Sequence, residues 1–184
     1  PLHGPMFMAA MARAAAKGGA VAIRANGPED IQAIRDQVSL PIIGIQKSFD
    51  AQGDLWITAT FRDAAVIAAS GADIIALDGI HMERPDGARL GELVARMHSE
   101  LGTQVMVDIS MFEEGCRAQG LGADLVATTL AVRGQNQDAP DFDLLSRLLL
   151  GLSVPVVAEG LYWTPEQVCK AFELGAYSVV VGSA

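Results

Sequence analysis

Apolar runs and helix-like segments alternate along the whole chain, and this alternation is the strongest signal in the sequence. Seven short runs rich in Val, Ile, Leu and Ala have the length of buried strands, and the segments between them have helical character. The pattern predicts strands over residues 20–24, 41–47, 72–78, 104–108, 123–129, 154–159 and 176–181. It predicts helices over residues 5–17, 29–37, 61–70, 87–101, 111–119, 141–150 and 164–174. Such strict alternation is typical of a parallel α/β architecture.

A weak internal repeat makes this prediction more specific. A Gly-Ala pair joins helix to strand at Gly19, Gly71, Gly122 and Gly175, with spacings of 52, 51 and 53 residues. Each interval holds two strand–helix units, as expected where odd and even strands of a closed barrel fill separate interior layers. The pattern therefore predicts a (β/α)8 TIM barrel that lacks its first strand and its last helix in the given chain. We expect residues 1–184 to form a single domain that is a fragment of a longer chain.

The charge of the chain limits the classes of partner. The formal net charge is −9 at pH 7, and no cluster of basic residues is present. These features argue against nucleic acid and against an anionic membrane surface as a partner. No apolar run reaches the ~18 residues that a membrane span requires, and no signal peptide is visible, so a cytoplasmic protein is expected. Self-association into a dimer or higher homo-oligomer is also expected, because the helical layer of such a fold is exposed.

The cysteines and histidines of the chain are few and scattered. The two cysteines, Cys116 and Cys169, fall within predicted helices far apart in the sequence. Small buried thiols in a reducing compartment fit this placement, so both are expected to pack in the core. The three histidines do not group with other ligands, and no metal site is predicted.

Charged residues end five of the seven predicted strands. In a parallel barrel all of these carboxyl ends lie on the face that holds the active site. The strand-end residues are Arg24, Lys47, Asp78, Asp108, Thr128 with Thr129, and Glu159. Carboxylates at such a rim can orient sugar hydroxyls or move protons. Lys47 alone has two interpretations: a lysine that extends to solvent, or a half-desolvated amine that can act as a base.

Glycines after the last two strands suggest a phosphate site. Gly160 follows Glu159, and Gly182-Ser183 follow the final predicted strand. Loops at these places in a barrel commonly bind phosphate through backbone amides and a helix N-terminus. Without the barrel context, ordinary tight turns explain the glycines equally well.

Several segments, in order along the chain, resemble one enzyme family. They are AVAIRANG, PIIGIQK, ADIIALDG, ATTL, VPVVAEGLYWTPEQ and AYSVVVGSA. Their order and spacing, from about residue 5 to residue 184, resemble the N-acetylmannosamine-6-phosphate 2-epimerase family of bacterial sialic acid catabolism. That family has a (β/α)8 barrel, which agrees with the fold expected from the strand pattern.

The resemblance implies a reaction and roles for single residues. The reaction interconverts N-acetylmannosamine 6-phosphate and N-acetylglucosamine 6-phosphate by inverting C2, with no cofactor and no metal. Lys47 would remove and return the C2 proton, and Glu159 would polarise or protonate the C1 oxygen of the open-chain aldehyde. Positions that match substrate-binding residues of the family are Arg24, Asp78, Arg84, Asp108 and Thr128, and positions that match its phosphate loops are Gly160, Gly182 and Ser183.

The chain departs from the family pattern at positions close to these residues. Ser48-Phe49 stand where Arg-Asp is common, Met82 replaces one arginine, and Glu159-Gly160-Leu161 stands where Glu-Gly-Arg is common. These departures concern the identity of the sugar phosphate more than the fold. Two alternatives therefore stay open: another phosphate-binding barrel lyase or isomerase, such as an aldolase with a Schiff base on Lys47, and a non-catalytic ligand-binding barrel domain.

Overall fold

The computed structural model describes residues 3–80, 83–131 and 139–182. Internal contacts group the described residues into two compact units. The first unit draws on Pro1–Leu77 and Glu83–Val105, and the second on Asp78–Met82 and Met106–Ala184. Among the described residues, no helix combines the length and the apolar character needed to cross a bilayer.

Parallel strands flanked by helices make up most of the first unit. Its strands are β1 Ile23–Asn26, β2 Ile42–Ile45, β3 Lys47–Phe49, β4 Leu55–Ile57 and β5 Ile74–Asp78, whose last residue belongs to the second unit. Its helices are α1 Pro5–Lys17, α2 Pro28–Arg35, α3 Phe61–Ala69 and α4 Leu90–Arg96, and α4 continues into a π-helical turn over Met97–Leu101. Strand β2 lies between β1 and β5 and pairs with both in parallel.

Gly44 shows how closely helix and strand approach in this unit. A Cβ atom at this position would lie 2.4 Å from Cγ2 of Ile67 on α3 and 2.7 Å from Cβ of Ala72. Both neighbours are buried, so neither can move aside cheaply. The glycine in the middle of β2 is therefore required by packing.

An antiparallel hairpin interrupts the predicted strand that ends on Lys47. Strand β2 ends at Ile45, and Lys47 begins β3, which pairs with β4 in the register Lys47 to Ile57 and Phe49 to Leu55. The turn between them is closed by Asp50, whose Oδ1 accepts hydrogen bonds from the N–H groups of Gln52 and Asp54. The sequence pattern did not predict this hairpin, because an Asx turn can support a short hairpin that has no long apolar run.

The second unit repeats the parallel pattern. Its strands are β6 Gln104–Asp108 (whose first two residues belong to the first unit), β7 Leu125–Ala127, β8 Val156–Glu159 and β9 Ser178–Val180. Its helices are α5 Phe112–Gly120, α6 Phe142–Gly151 and α7 Pro165–Leu174. Neighbouring strands pair in parallel in chain order. Thr164 caps α7, since its hydroxyl accepts from the Gln167 N–H and the Gln167 amide oxygen accepts from the Thr164 N–H.

Two further predictions need correction. Strand β1 spans Ile23–Asn26 instead of residues 20–24, so Arg24 lies within the strand and Asn26 ends it. The cysteines are exposed, not buried. Cys116 and Cys169 lie on outward positions of α5 and α7, because the buried positions of these helices are taken by residues such as Ala118 and Ala171. Most of the stretch between the predicted strand 123–129 and the predicted helix 141–150 lies outside the described residues.

Candidate active site

Lys47 is exposed, and its backbone is fixed from the neighbouring strand. Its main-chain N–H donates a 2.8 Å hydrogen bond to Oδ1 of Asn26, the last residue of β1. Sequence reasoning missed Asn26. The available signal was a polar residue two positions after Arg24, which shares a strand face with it because side chains alternate along a strand. Arg24 itself is half-buried opposite Ile43 in the β1–β2 ladder.

Thr58 is a strained and fully buried residue just after β4. Its φ is 50°, in the left-handed region that β-branched residues rarely adopt. Its N–H donates to the Gln46 carbonyl at 2.7 Å, and its Oγ1 accepts from the Gln46 N–H at 3.2 Å. The hydroxyl donates in turn to the Ala76 carbonyl at 2.6 Å. A backbone of this kind costs about 1–3 kcal/mol, which the three hydrogen bonds help to offset.

Arg84 is buried beside this segment, with 2% of its surface exposed. Its Nε donates to the Ala59 carbonyl at 2.9 Å, and one terminal nitrogen donates to the Thr58 carbonyl at 2.9 Å. The guanidinium carbon lies 5.0 Å from the centre of the Trp56 ring. The substrate-binding role predicted for Arg84 stays a prediction, and these hydrogen bonds direct its Nε and one terminal nitrogen to main-chain carbonyls of its own unit.

A cleft of about 160 Å³ opens at the carboxyl ends of β8 and β9 in the second unit. Two predicted phosphate-loop glycines and the predicted catalytic acid line it together. Its lining among the described residues consists of Thr129, Glu159, Gly160, Leu161, Tyr162, Trp163, Val180 and Gly182. Sequence reasoning did not select Tyr162 and Trp163, because aromatic residues have no distinctive spacing in the sequence, and it named Thr129 only as the end of a strand.

Threonine hydroxyls hold the carboxyl ends of the strands in this unit. Thr128 Oγ1 donates to the Glu159 carbonyl at 2.8 Å and accepts from the Glu159 N–H at 2.9 Å. Thr129 Oγ1 donates to Oδ1 of Asp108 at 2.8 Å, and Asp108 is fully buried. Thr128 therefore contacts the backbone of Glu159, whereas Thr129 lines the cleft and contacts the predicted substrate-binding carboxylate.

The turn after Glu159 has the character of an anion site. Gly160 has a φ of 106° and Leu161 a φ of 60°. Within the described residues, the main-chain N–H groups of Gly160, Leu161 and Tyr162 donate no hydrogen bond to another residue. Consecutive N–H groups in such a turn can bind anionic oxygens. The nearby N-terminus of α7 adds a partial positive charge, although its capping box already engages the N–H of Thr164.

Tyr162 lines the cleft and carries a neutral phenol. Its side chain is almost completely buried, and its ring packs edge-on against Phe142 with ring centres 6.1 Å apart. Burial, with the Asp141 carboxylate as a smaller cause, raises the pKa of Tyr162 to about 12. The phenol therefore keeps its proton at any physiological pH and can act as a hydrogen-bond donor.

The remaining predicted residues differ in how far the structure describes them. Asp78 is buried at the end of β5 in the second unit. Ser183 lies outside the described residues. Among the described residues there is no group of three or more His, Cys, Asp or Glu side chains that could hold a metal ion. Thus Glu159, Gly160 and Gly182 share one cleft within the second unit, and Lys47, Arg24 and Arg84 belong to the first.

Comparisons with known proteins agree on one family. Residues 8–184 match the model of the family described as "Putative N-acetylmannosamine-6-phosphate epimerase". A relative from Caldanaerobacter subterraneus subsp. tengcongensis is 46% identical over all of this chain and 79% of its own length. One from Clostridioides difficile is 44% identical over all of this chain and 83% of its own length. Both carry the name "Putative N-acetylmannosamine-6-phosphate 2-epimerase".

Solved structures show the fold. The N-acetylmannosamine-6-phosphate 2-epimerase from Clostridium perfringens has a TM-score of 0.94 and 41% identity, covering all of this chain and 81% of that one. The structure titled "Native KDPGal structure" has a TM-score of 0.68 at 18% identity, covering 99% of this chain and 79% of that one, and at that identity it bears on the fold alone. The predicted fold class, an α/β TIM barrel, is confirmed. On these matches, the chain belongs to the N-acetylmannosamine-6-phosphate 2-epimerase family.

Proposed function

We propose that the protein inverts C2 of N-acetylmannosamine 6-phosphate to give N-acetylglucosamine 6-phosphate, a step of sialic acid and amino sugar catabolism. The family match over residues 8–184 carries this proposal. The second-unit cleft supports it, because it is lined by a carboxylate and by a turn whose N–H groups donate to no other residue that the structure describes. A sugar phosphate needs both kinds of group: one for the reacting carbonyl and one for the phosphate oxygens.

The chemistry requires a base for a proton beside a carbonyl. In the open-chain aldehyde, the Lys47 amine takes the C2 proton, and the electron pair of the C–H bond forms the C1–C2 double bond of an enolate. Glu159 stabilises the negative charge on the C1 oxygen by donating a proton or a hydrogen bond. Lys47 then returns a proton to C2. Since one base serves both steps, the planar enolate must present its opposite face before reprotonation.

The substrate contacts follow from the remaining polar residues. We assign Arg24, Asp78, Asp108 and Thr128 to binding of the sugar hydroxyls and the acetamido group. Thr129 supports Asp108 in this role, because its hydroxyl donates a hydrogen bond to the Asp108 carboxylate. The phosphate is assigned to Gly160, Gly182 and Ser183. The N–H groups of Gly160, Leu161 and Tyr162 support this assignment, because they donate to no other described residue.

Proton exchange at C2 tests the proposal directly. The protein is incubated with N-acetylmannosamine 6-phosphate in D2O, and deuterium at C2 is followed by NMR together with formation of N-acetylglucosamine 6-phosphate. We expect exchange and epimerisation with the wild-type chain and a loss of at least about 10³-fold in Lys47→Ala. Lys17→Ala, at the end of α1, is the matched control and should leave both rates unchanged.

The outcomes of this experiment separate the candidate activities. A folded wild-type chain that gives no deuterium at C2 would leave a non-catalytic binding domain as the explanation. Exchange that persists in Lys47→Ala would contradict the role of that lysine. A borohydride-trapped adduct on Lys47 would instead indicate Schiff-base chemistry of the aldolase type.

We also propose that the protein acts in the cytoplasm as a dimer or higher homo-oligomer. The charged sugar phosphate and the two unpaired thiols suit a reducing interior. Large apolar side chains exposed on each unit, Met6 and Leu150 among them, supply surface for self-association. Sedimentation analysis that finds a monomer at micromolar concentration would contradict the oligomer.

A further inference from the structure

We propose that Arg84 is a positioning residue for Lys47, acting through Thr58, and that it does not bind the substrate. The inference rests on the proposed role of Lys47 as the base. It arises from a continuous series of contacts within the first unit that joins the buried guanidinium to the residue before Lys47.

The first contact joins Arg84 to the end of β4. Its Nε and one terminal nitrogen donate 2.9 Å hydrogen bonds to the carbonyls of Ala59 and Thr58. The same terminal nitrogen lies 3.5 Å from the Ile57 carbonyl. Hydrogen bonds from a charged donor are stronger than neutral ones, and a buried site excludes competing water. The guanidinium therefore fixes three consecutive carbonyls where the chain leaves the hairpin.

The second contact joins Thr58 to Gln46. The N–H and the hydroxyl of Thr58 bind the carbonyl and the N–H of Gln46, so the two residues are paired on both sides. This pairing requires the left-handed backbone of Thr58, which is unfavourable for a β-branched residue. A conformation of that kind persists only where surrounding contacts determine it. Arg84 on the Thr58 carbonyl and Ala76 on its hydroxyl supply such contacts.

The third contact connects this fixed segment to the catalytic lysine. Gln46 directly precedes Lys47, and Lys47 lies opposite Ile57 in the hairpin register. Asn26 holds the Lys47 N–H from β1. The Lys47 main chain is thus fixed by Asn26 on one side and by the Arg84-supported segment on the other, while its side chain extends to an exposed position.

Such an arrangement predicts a specific kinetic signature. A base displaced by about 1 Å can lose about 10²-fold in rate without any change in substrate affinity. A residue that contacts the substrate in its ground state instead changes KM. A positioning role for Arg84 therefore lowers kcat and leaves KM nearly constant.

The test combines kinetics with amide exchange in four variants of the full chain. Arg84→Met should lower kcat for N-acetylmannosamine 6-phosphate about 10²-fold with KM within about threefold of wild type, and Arg84→Lys about tenfold. Thr58→Val, which keeps the shape and removes the hydroxyl, should resemble Arg84→Lys, whereas Thr58→Ser should stay within about twofold of wild type. Hydrogen exchange of the Gln46 and Thr58 amides should accelerate at least about tenfold in Arg84→Met.

Arg96→Met is the matched control. Arg96 also stacks on an aromatic ring, 3.7 Å from the centre of Phe61, but it is exposed and its side chain donates hydrogen bonds to Glu100 on the same helical segment. Its loss should change neither kcat nor the exchange of the two amides. If Arg84→Met does not fold, the Thr58→Val and Thr58→Ser pair provides the decisive comparison.

The results that would overturn the inference are distinct from failure of the proposed function. A rise in KM at constant kcat in Arg84→Met would make Arg84 a substrate ligand. Unchanged exchange at Gln46 and Thr58 would show that the contacts do not order this segment. The amide-exchange comparison needs no activity, so it still decides the positioning role if the wild-type chain fails to epimerise the sugar phosphate.

Discussion

At the scale of single residues, Leu161 separates this chain from the pattern common in its family. It lines the cleft beside Glu159 and follows a glycine whose N–H donates to no described residue. A leucine leaves the cleft without a positive side chain at the turn where we place the phosphate. The negative charge of a phosphate would then be balanced there by main-chain dipoles.

We predict that Leu161→Arg strengthens substrate binding. A guanidinium that binds a phosphate oxygen is worth about 1.5–3 kcal/mol, so KM for N-acetylmannosamine 6-phosphate should fall about tenfold or more with little change in kcat. Steady-state kinetics measures this. Leu161→Met, an uncharged side chain of similar length, should leave KM unchanged. Equal effects of both substitutions would contradict a phosphate at this turn.

The raised pKa of Tyr162 can be tested through the pH dependence of protein stability. Its pKa is raised to about 12 in the folded protein, above the value near 10 expected in the unfolded chain. The folded state thus binds the phenolic proton more tightly, so this contribution is complete below pH 10 and is lost as pH rises through about 12. We predict that the free energy of unfolding falls between about pH 10 and 12 by up to about 2 kcal/mol more in wild type than in Tyr162→Phe.

Urea unfolding at several alkaline pH values measures this difference. Tyr177, the other tyrosine, is 67% exposed and provides the control. Tyr177→Phe should keep the alkaline loss of stability, and it should also keep the highest step in tyrosinate absorbance. Loss of that step in Tyr177→Phe instead of Tyr162→Phe would contradict the assignment.

At the scale of elements, the sequence pattern was informative where periodicity decides the structure. Helix α1 and strand β6 have the predicted bounds, because a Gly-Gly stop and an apolar run ending on an acid define them locally. The β3–β4 hairpin was missed, since Ser48 and Phe49 carry no strand pattern and the pairing depends on Asp50 and on Thr58. Local sequence could suggest Lys47 and Glu159, but it could not show that a neighbouring strand holds Lys47 through Asn26.

Packing of helix on strand yields a prediction at this scale. Gly44→Ala should destabilise the protein by about 1–3 kcal/mol, because the new methyl group overlaps Ile67 and Ala72. Gly120→Ala, at the end of α5 with open space around its Cβ position, should be neutral or stabilising by up to about 1 kcal/mol. Thermal or urea unfolding compares the two variants, and equal stabilities would show that β2 and α3 separate easily.

At the scale of the whole molecule, composition predicted the class of protein, but the predicted burial of the two cysteines was wrong. Hydrophobic residues make up 51% of the chain, which is enough to build a large core, and both cysteines were expected to join it. Neither does, because each lies on the outer side of its helix. Whether a helical residue is buried depends on which side of the helix it lies on. A small residue such as cysteine fits the buried side and the exposed side equally well, so its identity does not predict its burial.

The exposed thiols make a direct prediction for the native protein. A chromogenic disulfide reagent should titrate two thiols per chain without denaturant, and Cys116→Ser and Cys169→Ser should each reduce this number by one. Fewer than one reactive thiol per chain in the native state, with two after denaturation, would contradict the exposed positions.

The strained backbone of Thr58 has a consequence for the laboratory evolution of this protein. Glycine or asparagine adopts a φ of 50° more readily, so a screen for heat resistance should favour either at this position. Both would remove the hydroxyl that binds Gln46 and Ala76. Variants selected by such a screen would then be more heat-stable but would have a lower kcat. Thr58 should therefore be kept unchanged when a more stable enzyme is sought.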